Sequence, residues 1–194
     1  MKILCFGDSN TYGYDPCVPF GGRYPAGQRW VDLLAQKLCC TCINAGENGR
    51  TIPRHERELQ YCKQLLTMHA PVDCLIILLG SNDLLQGNSA ESVSRRMEHF
   101  LKNIALEKKK ICLVAPPPLQ RGEWVSAQTL IDASSALIRG YEALAARLGI
   151  RFGNAEKWNI PLAFDGVHFT EAGHRAFAEG ILSEKEFAAC WKME

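Results

Sequence analysis

The sequence predicts an α/β fold in which a parallel β-sheet carries helices on both faces, giving three layers. Three observations predict it. Short apolar runs of strand length recur along the chain, segments with helical spacing lie between them, and the strand ends close on turns rich in Gly, Asn, Asp and Ser. The run Val72–Leu79, V-D-C-L-I-I-L-L, is the most telling, because a strand that is apolar on both sides of its pleat must be covered on both faces. It is expected to be the central strand.

Taken in order, the first strand is expected over Lys2–Phe6, closing on G-D-S-N at Gly7–Asn10. Thr11–Gly27 mixes prolines and glycines with tyrosines, so it is expected to be an ordered loop lying over the site rather than a linker. A helix from about Gln28 sets Trp30, Val31, Leu33, Leu34 and Leu38 near one face, and a second strand runs through Cys40–Asn44. After the glycine-rich turn Asn44–Thr51, a helix over Arg54–Met68 carries Leu59, Cys62, Leu65 and Leu66 on one stripe.

The central strand stops at G-S-N-D, Gly80–Asp83, and Val93, Met97, Phe100, Leu101 and Ile104 then recur at helical intervals. A fourth strand over Lys110–Ala115 ends at Pro116–Pro118, which cannot extend it. Trp124–Leu148 reads as a long helix with Leu137, Tyr141, Leu144 and Leu148 inward and Gly149 as its C-cap, followed by a short fifth strand, Ile150–Phe152. A last helix, capped by Thr170, is expected to turn Phe177, Ile181 and Ala188 inward.

At 194 residues the chain can bury a sizeable core, and a single domain over residues 1–194 is expected. A net charge of +1, with 22% charged residues, gives no general attraction for nucleic acid or acidic membranes. No apolar run approaches a membrane span, and Met1-Lys2 leads straight into a strand without signal-peptide features. A cytoplasmic protein without membrane insertion is the expectation. The nine cysteines are an odd number, and several fall in apolar strands, so they are expected to be reduced. Cys39 and Cys42 have no second pair to complete a zinc site and are read as packing.

Function is therefore sought in the loops at one sheet edge. Four of them carry polar groups there: Ser9, Gly49, Asn82, and Asp165 with His168. Met singly, each is an ordinary turn or cap residue. Together they supply what acyl transfer needs. A serine hydroxyl must lose its proton to a base, a carboxylate must hold that base in one tautomer, and the developing oxyanion needs preorganised donors. Ser9 is the candidate nucleophile, His168 the base and Asp165 its orienter, three residues away so that both can project from one turn. The N–H groups of Ser9 and Gly49 with the Asn82 amide form the candidate oxyanion hole, glycine at 49 allowing a substrate oxygen close to the backbone. Tyr12, Tyr14, Pro117 and Trp124 are candidate pocket walls from their places in the edge loops. The chemistry calls for no cofactor and no metal.

On these residues the chain resembles the SGNH, or GDSL-type, hydrolase family. G-D-S at Gly7–Ser9, N-A-G-E-N-G at Asn44–Gly49, G-S-N-D at Gly80–Asp83 and D-G-V-H at Asp165–His168 match its four blocks in order. The resemblance implies a flavodoxin-like α/β/α sandwich with a five-stranded parallel sheet. Asn10 stands where the family name implies leucine, which leaves the nucleophile alone but alters its surroundings. G-Y-D-P and R-Y-P-A-G-Q-R-W are similar to loops of small intracellular arylesterases and acetylesterases, some of them oligomeric and able to transfer acyl groups to alcohols. A serine esterase acting on short-chain acyl esters is the implied function, a homo-oligomer and acyl transfer being left open.

Thioesterase, lysophospholipase and carbohydrate acetylesterase are alternatives within the family, and a non-catalytic flavodoxin-like binding module is one outside it. A binuclear metal phosphoesterase does not fit, because Ser9 and Asn10 follow Asp8 where metal ligands would be required. The α/β-hydrolase elbow is excluded because no G-x-S-x-G occurs.

Overall fold

The computed structural model of the chain describes residues 1–191. In order, the first elements are β1 (Lys2–Gly7), a one-turn helix α1 (Ser9–Tyr12), the short strands β2 (Tyr14–Asp15) and β3 (Gly22–Arg23), α2 (Trp30–Leu38) and β4 (Thr41–Gly46). Then come α3 (Glu56–Met68), β5 (Cys74–Leu78), the short α4 (Ser81–Leu85), α5 (Ala90–Lys102), β6 (Ile111–Ala115) and α6 (Gln128–Leu148). The last are β7 (Arg151–Asn154), α7 (Glu171–Ser183) and α8 (Lys185–Trp191).

Five strands form one parallel sheet in the order β4-β1-β5-β6-β7. The chain therefore steps outward from β1 in one direction to β4 and in the other to β5. Such a reversal leaves a crevice beyond the carboxyl ends of the two central strands, where open α/β sheets bind ligands. Ser9 follows β1 and Asn82 follows β5, so both stand at that crevice.

The pleat divides the core into two. Leu4, Phe6, Leu75, Ile77 and Leu113 pack against residues of α3, α5 and α6 on one face. Ile3, Cys5, Ile76, Leu78, Cys112 and Val114 pack against α2, α7 and α8 on the other. Each fully buried aliphatic side chain contributes roughly 1.5–3 kcal/mol, and a one-residue slip of any strand would exchange the two sets. Register is thus held from both sides, as the apolar run at Val72–Leu79 requires. All nine cysteines are free. Among the described residues no helix is long and apolar enough to cross a membrane.

Several boundaries depart from the pattern in the sequence. The long helix starts at Gln128, not Trp124, because the Glu123 and Trp124 N–H groups donate to the Phe164 and Asp165 carbonyls, both at 3.1 Å, and the Gly122 and Val125 backbones close a tight turn on each other. The final helix is two: α7 stops at Ser183, and α8 buries Phe187 fully while Ala188, expected inward on the same helix as Phe177, is half-buried on the second one. Ile104 lies just beyond α5, although it still packs against the core. The loop over Thr11–Gly27 contains the antiparallel pair β2–β3, which its mixed composition did not signal.

Candidate active site

Asp8 caps α1 by accepting the Asn10 N–H at 3.0 Å, which fixes the chain direction just before Ser9. Burial pushes the Asp8 carboxyl up to about 6, against the opposing pull of the Asn10 N–H and of the charges on His168 and Arg50. Ser9 is 6% exposed, and its Oγ lies 3.0 Å from His168 Nε2. His168 Nδ1 lies 2.6 Å from Asp165 Oδ2. The other oxygen, Oδ1, accepts the backbone N–H groups of Val167 at 2.8 Å and His168 at 2.9 Å. Burial alone would raise the Asp165 carboxyl, but the His168 ring and these N–H donors outweigh it and hold it below its ordinary value. It is thereby kept ionised.

The D-G-V-H turn needs its glycine. Gly166 has φ +80°, and a Cβ there would collide with the Gln120 carbonyl oxygen, whose residue also donates its N–H to Gly166 O at 3.0 Å. This close pairing brings the segment before α6 alongside Asp165.

Gly49 is exposed in the turn after β4 with φ +74°, and a Cβ built on it meets nothing within 4 Å. Among the described residues its glycine is demanded by backbone conformation, not by crowding. The Asn82 side chain donates Nδ2–H to the Arg50 carbonyl at 3.0 Å, so the loop after β5 is fastened to the Gly49 turn. Arg50 in turn stacks on the Phe6 ring at 4.3 Å and donates to the Gly7 carbonyl at 2.8 Å. Gly49, Asn82 and the end of the Ser9 strand are thus linked.

Of the candidate wall residues, two flank the imidazole: the Tyr14 ring centroid is 4.6 Å from that of His168, and the Trp124 ring meets it edge-on at 5.0 Å. The other two are placed differently. Tyr12 lies under the Arg23 guanidinium at 4.2 Å, and Pro117 is buried, lining a separate hollow of about 390 Å³ with Gln120 and Ile160.

The family model of GDSL-like lipases and acylhydrolases matches residues 5–176. The chain belongs to that family. As a GDSL-type acylhydrolase it is a carboxylic ester hydrolase. No curated protein sequence matches it. Solved structures similar to it include the aryl esterase of M. smegmatis, at 28% identity and TM-score 0.77, covering 94% of this chain and 99% of that one. Another is a putative arylesterase from Agrobacterium tumefaciens str. C58, at 29% identity and TM-score 0.79 over 94% and 99% of the two chains. A third is Est24, a carbohydrate acetylesterase from Sinorhizobium meliloti, at 25% identity and TM-score 0.81 over 97% and 98%.

Within this GDSL-type site the structure adds Asp83, which the sequence reading passed over. Its carboxyl is fully buried and accepts the Ile52 N–H at 3.0 Å and Arg96 Nη1–H at 3.1 Å, tethering the far side of the Gly49 turn. Burial pushes this carboxyl up, against those two donors. A charged residue directly after G-S-N was its only sequence signal. A hollow of about 720 Å³ adjoins Gly49 and is lined by Arg50, Arg57 and Tyr61, but Ser9, Asp165 and His168 do not line it. The one close group of three metal-ligating side chains among the described residues is Cys74, Cys112 and Cys190. It lies at the amino-terminal ends of β5 and β6, the opposite end of the strands from Ser9.

Proposed function

We propose that this protein is a serine esterase of short-chain acyl esters, with Ser9 as nucleophile, His168 as general base and Asp165 as its orienter. The observation that supports this most directly is the unbroken sequence of contacts from Ser9 Oγ to His168 Nε2 at 3.0 Å and from His168 Nδ1 to Asp165 Oδ2 at 2.6 Å. With Asp165 ionised, the ring proton stays on Nδ1 and leaves the Nε2 lone pair facing the hydroxyl.

In the first half-reaction Ser9 Oγ bonds to the ester carbonyl carbon while its proton passes to His168 Nε2. The carbonyl oxygen takes up the electron pair and faces the Ser9 N–H, the Gly49 N–H and the Asn82 amide. Collapse expels the alcohol, which takes the proton back from the imidazolium. Water then repeats the steps on the acyl-enzyme, its proton going to Nε2 and then to Ser9 Oγ, and releases the acid. An alcohol in place of water would give a new ester by the same path.

Tyr14 and Trp124 beside His168 favour a compact, aromatic-walled subsite, which suits small acyl and leaving groups better than long lipids. Aryl and carbohydrate acetyl esters are the two leaving-group classes that the similar structures suggest. A serine-directed phosphonate should label the wild type and not Ser9→Ala, which should also lose hydrolysis of aryl acetates. Asp165→Asn should lower kcat by roughly 10⁴-fold through the wrong tautomer. An unlabelled wild type would favour the binding-module alternative, and a fully active Ser9→Ala would exclude the nucleophile named here.

A further inference from the structure

Asn10 follows Ser9 on α1 and is 5% exposed. Its side chain does not point at the reacting groups. Instead Nδ2 donates to the Val167 carbonyl at 3.1 Å, and Oδ1 accepts the Phe169 N–H at 2.8 Å. One amide therefore pairs with the backbone immediately before and immediately after His168, as a neighbouring strand would. The main chain of Asn10 is held as well: its N–H donates to Asp8 Oδ1 at 3.0 Å, and its carbonyl accepts Trp30 Nε1–H at 3.1 Å.

We infer that Asn10 is a positioning residue that sets the distance and angle between Ser9 and His168; the inference rests on the reading of those two residues as nucleophile and base. The geometry gives the reason. α1 is a single turn, and the direct link between it and the His168 segment at the reacting atoms is the one contact from Oγ to Nε2. A single bond leaves the two segments free to pivot. Two further bonds, to Val167 on one side of His168 and Phe169 on the other, remove that freedom without engaging either reacting atom. Proton transfer in the transition state requires that alignment, and a displacement of about 1 Å can cost roughly 10²-fold in rate.

Leucine, the residue implied by the family name at this position, has the same number of side-chain heavy atoms and the same branch point but is bulkier and can make neither bond. It would leave the Val167 carbonyl and the Phe169 N–H buried without these partners. In this chain the asparagine supplies them.

The test compares Asn10→Leu, Asn10→Asp and Ser9→Ala on an aryl acetate, with thermal unfolding and the rate of phosphonate inactivation measured on each. Folded Asn10→Leu should lose roughly 10²-fold in kcat and in inactivation rate, with KM within about threefold, because alignment and not substrate binding is damaged. Asn10→Asp keeps the shape and the acceptor for Phe169 N–H but loses the amide donor to Val167, and should lose about tenfold in kcat. If Asn10→Leu does not fold, Asn10→Asp decides. A folded variant that loses only thermal stability, with kcat and inactivation rate within about threefold of wild type, overturns the inference. Ser9→Ala separates the two readings: if it is inert while Asn10→Leu is normal, only the role of Asn10 falls, whereas if it is fully active, the nucleophile assignment falls first.

Discussion

The Asn82 side-chain amide donates to the Arg50 carbonyl at 3.0 Å, and this bond carries one loop of the site on another. It does not cap its own helix, since the N-cap of α4 is Gly80 and no side chain caps it. One amide hydrogen is used by Arg50, and the oxyanion role proposed for Asn82 rests on the second. Asn82→Ala should therefore lower kcat by roughly 10²- to 10³-fold with KM nearly unchanged, and should cost about 1 kcal/mol of stability for the lost bond. Asn82→Asp should be no better, because it sets a negative charge against the oxyanion. Single-turnover acylation and thermal unfolding on both variants check this. Near-normal acylation in a folded Asn82→Ala protein would remove Asn82 from the site.

Trp124 meets the His168 ring edge-on, outside α6 and fixed by its own N–H to Asp165 O. An aromatic contact of this kind is worth about 0.5–1.5 kcal/mol, so Trp124→Ala should raise KM for aryl esters by roughly two- to tenfold and leave kcat within a few-fold. Tyr14→Ala should act in the same direction. Steady-state kinetics on a pair of aryl and alkyl acetates would show whether the effect follows the ring of the leaving group. An unchanged KM for both esters would take these residues out of the subsite.

Asp83 holds Arg96 and the Ile52 N–H in a buried place, with the Arg96 side chain 22% exposed. Removing one partner of such a pair strands the other. Asp83→Ala should destabilise the fold by about 2–3 kcal/mol, below the full value for a wholly buried pair because Arg96 reaches solvent. Asp83→Asn keeps an acceptor for Ile52 and should lose less. Urea denaturation would measure both, and equal losses would mean that the retained acceptor contributes nothing and that the charge on Asp83 accounts for the whole effect.

His174 is fully buried, edge-on to Tyr24 and Phe169, with Nδ1 facing the Trp30 N–H at 3.4 Å. Burial, helped by the Arg29 charge, drives its pKa down to about 3. The unfolded chain binds this proton near the reference value of about 6.5 and the folded chain does not until about 3, so stability from this group is complete above that reference value and falls as pH drops between the two. The slope is about 1.4 kcal/mol per pH unit. Asp8, raised by burial to about 6, works in the opposite sense, since the folded chain takes up its proton first as pH falls towards the unfolded value near 4. Comparing wild type with His174→Gln cancels the Asp8 contribution. The difference in unfolding free energy between the two should shrink steadily below pH 6.5, and a constant difference from pH 7 to pH 4.5 would contradict a neutral buried His174.

The amino-acid sequence by itself determined the five strands of the parallel sheet, most of the helices and the identity of the polar residues at the sheet edge. Those features are local: the pleat has a period of two, the helix one of 3.6, and turn residues reveal themselves within a few positions. Gly7–Asn10, Gly80–Asp83 and Asp165–His168 stood out because each closes an apolar run or opens a helix. What only the tertiary structure decided are the partners. Asn10 meets Val167 and Phe169 across 157 and 159 residues, and Asp83 meets Ile52 across 31. Trp124 leaves its expected helix because the D-G-V-H turn offers its backbone better partners, while Pro117 and Tyr12 turn to other neighbours. No local pattern records such pairings, because they depend on the strand order β4-β1-β5-β6-β7, which brings distant loops to one crevice and lets each buried polar group take the partner that geometry puts within reach.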